Sequence, residues 1–235
     1  MSHFLRDLLP RGTDPDVAAY KETRTTGKSW SVKILKHPAT ERFDLVKAAG
    51  KLGVDIVDGR TVVFDDPNEI DVLTDFFLHE FRIDRQTPVE ACTFAPGELA
   101  PLEAQIHQAH LDSRTSLFEV VATHDHKPQL LLRDRLTADA PELWLTDFGL
   151  SQSFHRIGPA FVFTRVVCAC DLHMTGGFGF VFNPRHESAL IEGYRRAMWS
   201  GSAATRSTRR MRFFFGLSRK IGQQVALEDV ETGKR

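Results

Sequence analysis

Within Cys168-Ala169-Cys170-Asp171-Leu172-His173, two thiols and an imidazole lie close enough in sequence to share a metal ion. Zinc takes thiolate and imidazole ligands in a tetrahedron. Alternate residues of a strand project from the same face. Cys168, Cys170 and His173 are therefore the candidate metal ligands, with Asp171 and the distant Cys92 available to complete a set. The competing reading needs no cofactor. The C-x-C spacing is tighter than the usual zinc half-site, no second half-site follows, and the thiols then serve as small apolar side chains in a sheet.

Other chemistry-bearing stretches are fragments of motifs. Thr26-Gly27-Lys28-Ser29 ends like a phosphate-binding loop. The position of that loop's first glycine is Glu22, whose carboxylate repels phosphate, and no apolar strand precedes it. The segment KETRTTGKS reads as a polar loop. Asp147-Phe148-Gly149 spells the magnesium triplet of kinases without the glycine-rich and catalytic loops that accompany it. Asp147 is expected to start a turn that Gly149 completes. His107 and His110 lie at i and i+3 of a predicted helix, and His124 and His126 on a predicted hairpin turn. Without an H-E-x-x-H pattern they read as surface histidines. Asp134 and Arg165 interrupt apolar strands and suit either a buried ion pair or a solvated sheet face. An enzymatic alternative gathers Asp134, Arg165, His173 and one cysteine into a pocket between helices and sheet, for hydrolytic or metal-dependent chemistry.

The strongest asymmetry is one of charge. Arg195, Arg196, Arg206, Arg209, Arg210, Arg212, Arg219 and Lys220 fall between Tyr194 and Lys220 with no acidic residue among them. That segment carries +8 in a chain of net charge −1, which leaves −9 for the remainder. These eight residues are the candidate binding surface. The partner is a protein or a nucleic acid, since phosphates are neutralised by Lys and Arg while aromatic side chains stack on bases, or else an anionic membrane surface, on which a basic amphipathic helix can lie. The three rings Phe213, Phe214 and Phe215 follow the arginines as a block and do not alternate with them. On a helix such a block sweeps about 200° of arc, so at least one ring faces inward. The segment is therefore expected to dock on the body of the protein through Met211, Phe214, Phe215, Leu217 and Ile221.

The elements that must position these residues follow from punctuation and period. The chain of 235 residues is 42% hydrophobic and 26% charged, an ordinary globular composition. No stretch approaches the ~20 apolar residues of a membrane span, and the first residues lack the apolar core of a secretory signal. Three cysteines form no disulfide framework, so a cytoplasmic location is expected. Helices are predicted from Asp14-Pro15, over Thr40–Leu52, from Asp66-Pro67 to about Arg82, and over Glu98–Leu111. A hairpin is predicted around Asp58-Gly59. Strands follow at Leu117–Thr123, Gln129–Arg133, Glu142–Phe148, Phe161–Cys170 and Phe178–Phe182, then a helix from Asn183-Pro184 to about Trp199.

The succession LLLRDRLT, ELWLTDFGLSQSF, GPAFVFTRVV and TGGFGFVF resembles a bacterial domain family of unknown function. The helix in FDDPNEIDVLTDFF is similar to that family's N-terminal part. The resemblance covers about half the chain, implies a two-part architecture and carries no activity. The expected fold is α+β. Residues 1–115 are mainly helical with a short hairpin near 54–64. Residues 116–200 form a small antiparallel sheet or partly closed barrel closed by a helix. Residues 201–235 are a basic segment and polar tail. The expected function is a non-enzymatic binding or interaction module using the basic segment, with nucleic-acid binding and a small metal-dependent enzyme or hydrolase as alternatives.

Overall fold

In the computed structural model, residues 15–200 and 202–223 are described, and their helical and strand-forming signals sort into two packed layers. Helix α1 (Pro15–Leu35) runs straight through the stretch read above as a polar loop. Its polar residues Thr23, Arg24, Gly27 and Ser31 recur at helical spacing and line a cavity, while Trp30 and Ile34 are buried in the core. A helix facing a cavity has no apolar stripe on that side, so composition alone reads as loop. After a short 3₁₀ turn (Pro38–Thr40), α2 (Leu45–Leu52) begins five residues later than expected. Asp44 supplies its cap, accepting hydrogen bonds from the amides of Val46 and Lys47, and Gly53 closes it in the left-handed region.

Strands β1 (Asp55–Val57) and β2 (Thr61–Val63) form the expected hairpin, with Asp58 and Gly59 both at positive φ. Helix α3 (Glu69–His79) follows a turn in which Asp66 accepts from the Asn68 amide and Glu69 from the Asp65 amide. A one-turn helix α4 (Pro88–Ala91) is fixed by a Thr87–Glu90 capping box. Helix α5 (Pro101–Asp112) completes the helical layer.

The second half builds a barrel. Strands β3 (Arg114–Thr123), β4 (Gln129–Asp134) and β5 (Leu143–Thr146) pair antiparallel in sequence. Helix α6 (Phe148–Ile157) precedes β6 (Phe161–Ala169), and the tight turn at Cys170-Asp171 leads to β7 (Leu172–Thr175). Strand β6 pairs with β3 on one edge and with β7 on the other, and β7 meets β5 through a single parallel bridge, Leu145↔His173. These five strands close on themselves. Strand β8 (Phe180–Phe182) extends from β6. A 3₁₀ turn (Pro184–His186) then leads to α7 (Glu187–Ala197). The basic helix α8 (Ala203–Ile221) and β9 (Gly222–Gln223), paired to β8, end the described chain. The polar tail beyond Gln223 lies outside the described residues. The fold is α+β, as expected, with the barrel closed.

Alternation along β6 divides the core. Val162 and Val166 point into the barrel among Phe118, Leu130, Leu132 and Leu145, joined by Leu150 and Phe154 of α6. Phe161, Phe163, Val167 and Ala169 point the other way, into a cluster shared with Trp30, Phe76, Phe77, Met211, Phe214 and Phe215 of the helices. Phe163 stacks on Phe214 with ring centroids 4.2 Å apart.

One residue in the helix-facing row of β6 is charged. Arg165 is 2% exposed and sits between Phe163 and Val167. Its Nε donates to Asp75 Oδ1 at 2.8 Å and its Nη2 to Glu80 Oε1 at 2.6 Å, both acids belonging to α3 or its C-terminal cap. A further hydrogen bond runs from Nη1 to Ser113 Oγ at 3.2 Å. The stem of Arg165 passes so close to Gly176 that a Cβ there would lie 2.9 Å from Arg165 Cβ. Removing one member of a buried ion cluster strands the others without solvent. Arg165→Leu is thus expected to lower stability by about 3–5 kcal/mol in urea denaturation, whereas the triple change Arg165→Leu, Asp75→Leu, Glu80→Leu recovers most of that loss.

Candidate functional site

Two regions concentrate charged and titratable side chains. The first is a cavity of about 670 Å³ between α1, α3, α5, the β6–β7 face and the start of α6. Its walls carry charge that is already paired. Arg24 of α1 donates to Asp147 Oδ2 at 2.8 Å and to the Thr175 carbonyl at 2.8 Å, and Thr175 Oγ1 donates to the same Asp147 oxygen at 2.7 Å. The other Asp147 oxygen accepts from the Leu150 amide at 3.0 Å. Asp147 therefore caps helix α6 instead of starting an isolated turn, because Phe148 begins a helix whose next polar residues continue it. Tyr20 packs on Phe148 and its hydroxyl accepts from Arg24 Nε.

Deeper in the cavity lie two imidazoles. His110 Nδ1 and His79 Nε2 are 3.3 Å apart, and the His110 ring stacks on Trp30 at 4.1 Å. Burial, helped by the Arg165 charge, holds His79 well below the usual histidine range and pushes His110 down to about 3. Both rings are neutral at physiological pH, so one nitrogen of the contact donates and the other accepts. Asp75, beside them, is raised by burial to about 6 despite Arg165. His107 accepts from the Trp30 indole at 3.3 Å. His107 and His110 are thus built into the helical layer, contrary to their reading as surface residues.

The second region is the hairpin of α7 and α8. Phe214 and Phe215 are fully buried, Phe213 packs on Tyr194, and Met211 is buried with them, so the helix docks as the block spacing implied. The eight basic residues divide. Arg219 donates to both oxygens of Glu69 at 2.8 Å, with Asp65 and Asp55 within 3.8 Å, and lies over the Phe215 ring. Arg210 is half-buried and donates to Thr115 Oγ1. Arg195, Arg196, Arg206, Arg209, Arg212 and Lys220 are exposed. Among the described residues no carboxylate pairs with Arg195, Arg196, Arg206 or Arg212. Arg209 donates to the Ser200 carbonyl at 2.6 Å and so fixes the connection that carries Trp199, which is 93% exposed.

The remaining sequence candidates separate. Cys168 and His173 are register partners across β6 and β7, but Cys170 sits in the turn beyond the strand at φ 52°, with its thiol 3.0 Å from Gln105 Oε1. Among the described residues no three His, Cys, Asp or Glu side chains are grouped to hold a metal ion. Asp134 accepts from Ser116 Oγ and from the amides of Leu136 and Thr137, and pairs with Arg114. It is buried, as is Arg165, so neither lies on a solvated face. The proposed quartet of Asp134, Arg165, His173 and a cysteine does not converge: Arg165 belongs with Asp75, Asp134 with Arg114, and His173 with Cys168. Sequence reading missed Arg24, Asp75, His79 and Trp199. The only signal for the first was polar residues at helical spacing, and for Trp199 a large ring beside Ser200-Gly201-Ser202.

A model of a family of unknown function, DUF7986, matches residues 14–228. The chain belongs to that family. DUF7986 thereby accounts for both layers of the fold and brings no activity with it. No curated protein and no solved structure matches the chain. Among the described residues, no helix is long and apolar enough to cross a membrane.

The neutral imidazoles have a consequence for acid stability. Histidines whose folded values are depressed bind protons only on unfolding, so acidification below about 6.5 favours the unfolded chain. Asp75 acts in the opposite sense: raised to about 6, it adds stability that is complete at low pH and is lost as pH rises through that value. Two imidazoles against one carboxyl leave a net uptake of about one proton, so this cluster lowers stability by about 1.4 kcal/mol per pH unit between about pH 6 and 4.5. In urea denaturation at stepped pH, His110→Phe, which keeps the stack on Trp30, is expected to flatten the slope by about that amount.

Proposed function

We propose that this member of DUF7986 is a binding protein whose α7–α8 hairpin contacts single-stranded nucleic acid. The observation that carries the reading is Trp199, 93% exposed at the tip of a hairpin whose outer face displays Arg195, Arg196, Arg206, Arg209 and Arg212. Arg206, Arg209 and Arg212 are spaced by three and form one stripe along α8, opposite the buried Met211, Phe214 and Phe215. Arginines neutralise phosphates and an exposed indole stacks on an unpaired base. The stacking ring is thus Trp199, and the phenylalanine block is the anchor that holds the arginines in place.

A membrane-surface role is disfavoured because the apolar face of α8 is spent on the protein's own core. Arg219 is removed from the surface by Glu69, Asp65 and Asp55, and Arg210 is turned toward Thr115. Lys220 lies at the far end of the helix from the tip. A cytoplasmic location fits the three free cysteines.

Fluorescence anisotropy with labelled oligo-U and oligo-dT tests the reading. Binding should weaken steeply with salt. Arg206→Ala, Arg209→Ala and Arg212→Ala together should reduce the log–log salt slope by about 2, at ~0.7 per phosphate contact. Trp199→Ala should cost about 1–3 kcal/mol of affinity while leaving the slope unchanged. Salt-independent binding, or full affinity without Trp199, would overturn it. An acidic protein partner is indicated instead if neither oligonucleotide binds.

A further inference from the structure

The cavity is not used by the hairpin, and its lining is specific enough to say what it takes. We infer that it is a binding site for an uncharged planar heterocycle bearing amide-type donor and acceptor groups, the chemistry of nucleobases and aromatic carboxamides. Its volume, about 670 Å³, lies within the range of small-molecule sites. The charges deepest in its walls are already matched. Arg24 is held by Asp147, Arg165 by Asp75 and Glu80, and the Lys28 charge faces Asp71 at the rim. A charged ligand that reaches the imidazoles leaves behind the exposed Lys21 and Lys28 at the rim and gives up its hydration beside charges that are already matched. A neutral ligand avoids that cost.

The polar groups left over suit a neutral partner. Beyond their contact with each other, the side chains of His79 and His110 make no further hydrogen bond among the described residues. In a neutral pair joined by one hydrogen bond, one outer nitrogen carries a proton and the other a lone pair. The pair therefore offers one donor and one acceptor, and it can exchange these roles by a tautomeric shift without gaining charge. An amide-type edge presents the complementary set. Between this polar end and the Arg24–Asp147–Thr175 wall, Leu78, Ile106, Val167, Met174 and Phe178 supply an apolar bed for a ring. The charged and titratable groups that act on the imidazoles are Arg165 from β6, Arg24 from α1 and His107 from α5, and the nearby carboxyls of Asp75 and Glu80 are both held by Arg165.

One position allows the cavity to be closed without damage to the fold. Gly27 lies within α1 on the cavity wall, and a Cβ there would meet no atom within 4 Å. Leucine is a better helix former than glycine. Gly27→Leu should therefore fill the cavity while the thermal midpoint stays equal or rises.

Saturation-transfer NMR and calorimetric titration of the full chain with adenosine, uridine and nicotinamide test the inference. Micromolar to millimolar binding of at least one is expected, abolished by Gly27→Leu and weakened at least tenfold by His110→Phe. The matching 5′-monophosphates should bind no more tightly than the nucleosides. No binding of any of the three at 10 mM (on the order of the weakest useful fragment affinity) would overturn the site. Binding that survives Gly27→Leu would place the ligand elsewhere, and tenfold tighter binding of a monophosphate would refute the uncharged class. Since Gly27 and His110 are remote in sequence from Trp199 and the exposed arginines, oligonucleotide binding by the hairpin stands or falls separately.

Discussion

A permanently charged guanidinium in the middle of an apolar layer constrains everything around it. Arg165 cannot be deprotonated and cannot reach water, so the fold must bring it anions. Asp75 and Glu80 fill that need, and both are carried by one end of α3. The register of α3 over the barrel is set in this way, and with it the position of His79, one residue before Glu80. The same requirement excludes a side chain at Gly176 and draws Ser113 in at the α5–β3 junction. The placement of the imidazole pair beside the cavity thus follows from one arginine on β6.

The excess of positive charge near the C-terminus has two fates, decided by the helix period. Residues that share a face with Phe214 and Phe215 turn toward the body, and there Arg219 meets the acids of the β1–β2 hairpin and of α3. Part of the −9 carried by the remainder of the chain is thus consumed internally. Residues on the opposite side of the helix keep their charge in water. Solvent screening makes those exposed charges cheap to leave unpaired.

Capping residues and β-branched alternation made most elements legible. Asp58-Gly59, Asp66-Pro67 and Asn183-Pro184 each punctuate the chain within a few residues of where the structure does. The start of α1 at Pro15 was legible, but its run through KETRTTGKS was not, because that polar side lines a cavity that exists only once α3 and the barrel are in place. Helix α6 was hidden for a related reason: Asp147-Phe148-Gly149 reads locally as a turn, and the apolar positions that make it a helix, Leu150 and Phe154, are paid for by the barrel interior. The site residues suffered most. Asp75, His79 and His110 lie far apart in sequence from Arg165, and nothing local to any of them announces the others. The docking of the phenylalanine block was readable because it depended on spacing within one helix.

The barrel is closed by unequal joints. Strands β3, β4 and β6 share long ladders, whereas β5 and β7 touch through one parallel bridge. Just past that bridge, Asp147 follows β5 and Thr175 ends β7, and the two are tied by a direct hydrogen bond and by Arg24 reaching both. A residue of helix α1 is therefore the hasp on the weakest seam of a barrel formed more than a hundred residues later. The hasp hangs in the cavity wall. The seam of the barrel and the wall of the cavity are thus the same few hydrogen bonds, shared by a helix and two strands.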